Sequence, residues 1–258
     1  MKNKQKDLIK NLLTPLLSIS QLFHKKTSFN NLLTSNLPYE KWPTSWKTIH
    51  YKEYPRFEAT KINDKKIVIS KSFSSILQKR RSQRNFGGSV GFKKLQNLIK
   101  LSAGINSHKN NNFQLRHWPS AGARYPLEIY ILNSKINGLK KCFSFHYNVK
   151  RNTLERLFPI KNPGKFFFDI TGQDWSKEAS CIIAISSVFD RNKIKYGDRG
   201  YRYSLIDCGH LSQNILLTAT ALNLKACSIG GFSDTKINKH LDLNEVQEAI
   251  IYMIAIGK

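Results

Sequence analysis

Apolar and polar positions follow two different periods along this chain. Residues 92–103 place Phe92, Leu95, Leu98, Ile99 and Ala103 three and four apart, the spacing of one helix face, and Gly104 stands where such a helix closes. Residues 201–222 extend that pattern, with Leu205, Leu211, Ile215, Leu216, Ala219 and Leu222 largely on one face and Asn223 suited to a left-handed C-terminal position. Residues 74–80 predict a short helix or turn. Runs of β-branched and aromatic residues predict strands at 127–132, 143–149, 181–188, 226–229 and 250–256, with Asp234 as an N-cap between the last two. This order is not a strict βαβ alternation, so the expected class is α+β.

Before residue 71 the pattern is less regular. Residues 6–23 carry Leu8, Ile9, Leu12, Leu13, Leu16 and Leu17 at helical spacing, and Pro15 would kink or divide that helix. The charged start followed by apolar residues superficially resembles a signal peptide. Asn11, Pro15 and Ser18 interrupt its apolar part, however, and an amphipathic helix is the better expectation. An aromatic, proline-bearing stretch from Pro38 through Trp46 reads as irregular chain wrapped over another surface. We therefore expect an extension over 1–70 and a folded domain over 71–258. The asparagine-rich residues 107–116 predict a loop. No apolar run approaches the roughly 20 residues of a membrane span. No internal repeat occurs, and no GxGxxG follows a strand, which disfavours a Rossmann nucleotide site.

Charge changes this picture. The 258 residues hold 42 Lys and Arg against 17 Asp and Glu, a formal charge of +25. Lysine-rich composition accounts for part of it. The residues between Asp64 and Glu128 nevertheless lack any acid while carrying Arg80, Arg81, Arg84, Arg116 and Arg124. Such a field attracts an anion: a phosphate-bearing cofactor, an acidic peptide or nucleic acid. Cys142, Cys181, Cys208 and Cys227 are far apart and form no CxxC pair, which suits reduced thiols in a cytoplasm better than a disulfide or metal framework. The seven histidines show no metal-ligand spacing.

Three segments have the composition of a cofactor site. Arg80-Arg81-Ser82-Gln83-Arg84 offers guanidinium forks and a hydroxyl to a phosphate, though a solvated basic turn has the same composition. Pro119-Ser120-Ala121-Gly122-Ala123 is too small to fill a core and lets backbone approach a flat group, or forms an ordinary tight turn. Ser228-Ile229-Gly230-Gly231-Phe232 permits close approach in the same way, again with a turn as its plain alternative.

In this order the three segments resemble the FMN-dependent nitroreductase superfamily. Residues 80–86 are similar to its RRSxRxF segment, and Ser120-Ala121-Gly122-Ala123-Arg124-Tyr125-Pro126 is similar to the hallmark of its SagB-type peptide azoline dehydrogenases. Asp207-Cys208-Gly209-His210 with Gln213-Asn214 looks like the family's dimerising helix, and Tyr51 through Pro55 like the branch's lead-in. The resemblance spans about residues 50–258. It implies a central mixed β-sheet flanked by helices, a homodimer, and FMN held by Arg80, Arg81, Ser82, Arg84, Ser120, Ala121, Gly122, Gly230 and Gly231.

The same resemblance implies that Lys195-Tyr196, ahead of Arg199-Gly200-Tyr201-Arg202, is the catalytic pair of an azoline-oxidising enzyme. Gly197-Asp198 departs from the basic or aromatic residues expected there. Desolvation and the cationic neighbours in sequence, Arg191, Lys193, Arg199 and Arg202, would both lower the Lys195 pKa and make it a base, although a basic surface loop has the same composition. The implied reaction oxidises a thiazoline or oxazoline of a ribosomally made peptide to the azole: a proton goes to the base, a hydride to FMN, and oxygen takes the electrons afterwards. The implied partners are a peptide substrate, which an acidic leader would suit, and a cyclodehydratase complex. Lys258 and its carboxylate are expected near the flavin phosphate, the alternative being that one phosphate contact is missing.

Three other functions fit parts of the chain. A small-molecule nitro or ene reductase using NAD(P)H would share the fold. A nucleic-acid-binding protein explains the charge but not the small-residue segments. A flavin-free scaffold would keep the fold without colour.

Overall fold

The computed structural model describes residues 18–28, 38–63, 67–106 and 114–258. Met1–Trp42 and Pro43–Lys258 are separate compact units. In the first, helix α1 (Ile19–Lys26) begins with a capping box in which Ser18 and Gln21 satisfy each other's backbone N–H groups. Residues 6–17 of the expected N-terminal helix, including Pro15, lie outside the described residues, as do residues 107–113 of the expected loop.

The second unit opens with the short helix α2 (Thr44–Lys47) and carries a seven-stranded sheet. Its strands are β1 (Ala59–Lys61), β3 (Leu127–Asn133), β5 (Phe143–Asn148), β6 (Thr153–Pro159), β7 (Cys181–Val188), β8 (Lys225–Ile229) and β9 (Glu248–Gly257), in the order β1-β6-β5-β3-β7-β9-β8. Every pairing in that sheet is antiparallel. Parallel pairing occurs between the two-residue strands β2 (Val90–Gly91) and β4 (Ile136–Asn137).

The central strands read as continuous apolar runs because the sheet is covered on both faces. Side chains alternate between two cores. Ile129 and Ile131 of β3, Ile183 and Ile185 of β7, and Ile254 and Ile256 of β9 join α4 (Phe92–Ala103) and the long α7 (Arg199–Ala221). Tyr130, Leu132, Ile182, Ala184, Met253 and Ala255 face the other way, with α5 (Pro163–Thr171) and α8 (Asp234–His240). The α+β class follows directly. Helix α3 (Phe73–Lys79) lies within a residue of the expected short helix. Ser233 rather than Asp234 stands at the N-cap of α8, and Asn223 takes the left-handed conformation with φ 54°.

One end of the sheet gathers the functional segments. There β3 starts, β7 ends and β9 starts, with Leu127 opposite Ser187 and Val188 opposite Glu248. The small-residue loop feeds into β3 at this end, and α6 (Asp190–Tyr196) leaves β7 there.

Candidate active site

Ser120, Ala121 and Gly122 form a turn pinned from below by a carboxylate. The Ser120 hydroxyl donates to Asp207 Oδ2 at 2.6 Å and accepts from the Tyr125 backbone N–H at 2.9 Å. The Ala121 N–H donates to Asp207 Oδ1 at 3.3 Å. The Ser120 side chain and the Ala121 N–H are thus bonded within the chain, while Gly122 is exposed. Gly122 has φ 56°, a conformation glycine adopts without strain. A Cβ at this position would overlap the Tyr196 hydroxyl and stand 3.1 Å from Lys195 Nζ. The structure therefore joins Lys195 and Tyr196 to the loop that precedes β3, some 70 residues earlier in sequence.

Lys195 and Tyr196 close a short helix that sequence periodicity does not reveal, since Ile194 is exposed. Its local signals are Asp190 in the first turn, Lys193 and Lys195 in the last, and Gly197 at the C-cap with φ 55°. Gly200 lets α7 cross close against it: a Cβ there would come within 2.7 Å of the Asn192 carbonyl carbon. Burial lowers the Lys195 pKa, and the Arg124 guanidinium lowers it further. The direction and the part played by burial agree with the expectation from sequence, but the cation is Arg124 rather than the sequence neighbours. Arg191 is turned to Glu128, and Arg199 donates to the Tyr203 hydroxyl at 2.9 Å. The Tyr196 pKa is raised, by burial first and then by Tyr203, whose ring centroid is 4.9 Å away. Lys195 Nζ also lies 5.4 Å from the Trp46 ring centroid.

Two buried arginines hold this corner. Arg124, 1% exposed, donates from Nη1 to the Trp46 and Thr48 carbonyls at 2.8 Å each and from Nε to the Arg191 carbonyl at 2.9 Å. Arg191 pairs with Glu128 Oε1 at 2.6 Å and donates to the Tyr125 carbonyl at 3.1 Å. Glu128 Oε2 bonds His146 Nε2 at 2.9 Å, and His146 Nδ1 bonds Glu155 Oε2 at 2.8 Å. Burial alone would push Glu128 up, yet Arg191 and His146 hold it down at about 2. Burial would lower His146, and its bonds to the two glutamates keep it raised. Charges this deep persist because they are paired.

The arginine segment lies elsewhere, along the free edge of β8. Gln83 N–H donates to the Ala226 carbonyl at 2.9 Å, and Gly87 N–H to the Lys258 carbonyl at 2.9 Å. Arg81, Ser82 and Arg84 are exposed, Arg80 half-buried, and none of the three arginines forms a salt bridge among the described residues. Arg81 donates to the Gln78 and Arg80 carbonyls, and the Arg84 guanidinium carbon lies 5.8 Å from the Trp175 ring centroid. Gly230 and Gly231 follow β8 and are exposed; a Cβ on Gly231 would meet nothing within 4 Å. These cationic donors, free of carboxylates and adjoining open glycines, fit a phosphate with a flat ring system attached. From β3 to β8 are three strand spacings, about 14 Å. One chain therefore gathers Lys195, Tyr196, Ser120, Ala121 and Gly122 in one place and Arg80, Arg81, Ser82, Arg84, Gly230 and Gly231 in another.

Sequence reasoning missed Asp207, Arg124, Trp46 and the Glu128–His146–Glu155 chain as parts of this architecture. Only the lone acid at Glu128, ending a long acid-free stretch, hinted at the last.

The comparisons with known proteins agree with the fold. Residues 77–258 match the Nitroreductase family, to which the chain belongs. A Methanocaldococcus jannaschii protein described as a nitroreductase is 30% identical over 171 residues, 66% of this chain and 84% of that protein. The Escherichia coli microcin B17-processing protein McbC is 24% identical over 206 residues, 74% of this chain and 75% of McbC. A chain of the E. coli McbBCD complex with truncated pro-MccB17 superimposes with TM-score 0.60 at 20% identity, covering 93% of this chain and 91% of that one. A nitroreductase-like structure from Anabaena variabilis gives TM-score 0.74 at 25% identity and covers 95% of this chain. It covers 49% of that chain, so this chain spans about half the length of the Anabaena protein.

Proposed function

We propose that this nitroreductase-family oxidoreductase binds FMN and, as a SagB-type enzyme, dehydrogenates thiazoline or oxazoline rings of a ribosomally made peptide to azoles. The observation that carries the reading is the convergence of Lys195 Nζ and Tyr196 Oη on Gly122. Bound FMN supplies a two-electron acceptor. Lys195, its pKa lowered by burial and Arg124, takes the proton from the ring carbon next to the carbonyl. Tyr196, kept protonated by its raised pKa, orients the ring or relays that proton. Arg80, Arg81, Ser82 and Arg84 hold the phosphate, while Ser120, Ala121, Gly122, Gly230 and Gly231 give backbone access to the rest.

The separation of these groups on one chain supports a homodimer in which two copies complete each flavin site. Leu205 and Ile206, 42% and 47% exposed on α7, supply an apolar face for it. On this reading residues 71–258 are the flavin domain and residues 1–70 an extension. The basic surface suits an acidic leader peptide, and the likeness to a microcin B17-processing protein and to a chain of the McbBCD complex supports work on a peptide within a multi-protein complex. A cyclodehydratase partner and a cytoplasmic location complete the proposal. Among the described residues no helix is long and apolar enough to cross a membrane.

The test has two parts. Purified protein is scanned for a flavin absorbance spectrum, and a synthetic thiazoline peptide is assayed for loss of two hydrogens per ring by mass. A colourless protein that takes up no added FMN defeats the reading. The identity with the M. jannaschii protein favours a second reading, a small-molecule reductase. Rapid flavin reduction by NADPH, with no azole formed, selects it.

A further inference from the structure

We infer that Asp207 is a positioning residue for the Lys195–Tyr196 pair: its buried carboxylate fixes the Ser120-Ala121-Gly122 turn, and that turn sets where the Tyr196 hydroxyl and the Lys195 amine stand. The inference rests on the reading of Lys195 and Tyr196 as the reacting pair.

The geometry leaves Asp207 little other work. It is 2% exposed on α7 and forms no salt bridge among the described residues. A buried carboxylate without a cation costs stability, so a stability role alone does not explain it. Both of its oxygens are committed to the turn, through the Ser120 hydroxyl at 2.6 Å and the Ala121 N–H at 3.3 Å. The Ser120 oxygen then closes the turn by accepting from the Tyr125 N–H. Asn192, on α6 three residues before Lys195, donates to the Ser204 hydroxyl of α7 at 3.2 Å, which ties α6 to the helix that carries Asp207. The last link is Gly122, which packs so closely on Tyr196 that no side chain fits between them. A shift of the turn is therefore passed directly to the Tyr196 hydroxyl.

The titratable groups around Asp207 are Tyr196 on α6, Tyr125 beside the turn, and Cys208 and His210 on its own helix. Burial pushes the Asp207 pKa up to about 6, against the bonds from Ser120 and Ala121. The ionised form accepts both bonds, and its negative charge helps to keep Tyr196 protonated.

The experiment compares Asp207→Asn, Asp207→Ala and Ser120→Ala with the parent holoenzyme, using a synthetic peptide that bears one thiazoline. The Tyr196 phenol is followed by NMR of 13C-tyrosine protein, its resonance identified by its loss in Tyr196→Phe. We expect Tyr196 to titrate at lower pH in Asp207→Asn. We expect kcat to fall about 10- to 100-fold, as for a misplaced reacting group, with KM and flavin content unchanged. In a Tyr196→Phe background the same change should cost less than in the parent, because the part of its route that runs through the hydroxyl is already broken. If Asp207→Ala does not fold, the near-isosteric Asp207→Asn and Ser120→Ala decide. An unmoved Tyr196 titration, full activity in both variants, or independent losses in the double variant overturns the inference. Lys195→Ala separates the two levels. If it is fully active, the reading of the pair fails. If it is inactive while Asp207→Asn is unaffected, only the positioning role fails.

Discussion

The Tyr196 hydroxyl occupies the space where a side chain at Gly122 would begin. Gly122→Ala should therefore displace Tyr196 and also strain a backbone held at φ 56°. The strain is about 1–2 kcal/mol, the cost of the left-handed region for a residue with a Cβ. A urea melt measures it, and azole formation should fall more steeply than stability. An alanine variant with parent activity would show that the contact has no catalytic consequence.

Lys195→Ala should lower the rate of azole formation by about 10²–10⁴-fold, the usual contribution of a placed base, while the flavin spectrum stays the same. Lys195→Arg should be nearly as slow, because a guanidinium does not release its proton near neutral pH. Loss of flavin in both variants would instead make the pair structural.

The Lys195 and Arg84 regions lie on the β3 and β8 sides of the sheet, and the proposed flavin site is completed by two copies. Ile206→Glu should give a monomer by light scattering and release flavin with it. Arg84→Ala should remain a dimer and bind FMN more weakly by about 1.5–3 kcal/mol, one charge-assisted bond. Fluorescence titration of FMN reads the difference. A parent monomer that retains flavin contradicts the dimer.

Glu128 should contribute to the acid limb of stability. Its folded pKa of about 2 is below the ordinary 4.5, so its contribution is complete above 4.5 and is lost as pH falls toward 2. Glu128→Gln should cost about 3–5 kcal/mol near neutral pH by leaving Arg191 buried and unpaired. The variant should also lose less stability than the parent on acidification. Thermal unfolding at several pH values checks both, and parallel curves would show that Glu128 does not set this limb.

The sequence determined much of the scaffold. Helices α4 and α7 and strands β3, β7 and β9 were legible because their burial imposes a period on residues near one another in the chain. The weak elements were not. Strand β6 went unrecognised, and so did α5, despite Asn162 and Pro163 at its start. The amphipathic signal of α6 is erased by exposed Ile194. The cofactor-site candidates could be named from the small-residue, glycine and arginine segments, and Lys195 and Tyr196 from the family resemblance alone, but their grouping could not. That Lys195 and Tyr196 meet Gly122, while Arg84 stands at the far edge of the sheet, follows from strand order, and local pattern does not encode strand order. The same holds for Asp207, Arg124 and Glu128. Each looks like an ordinary charge in sequence, and only folding removes its water and leaves a distant backbone group or side chain as its partner. Tertiary structure decided these roles because the cost of a buried charge exists only once the chain around it has packed.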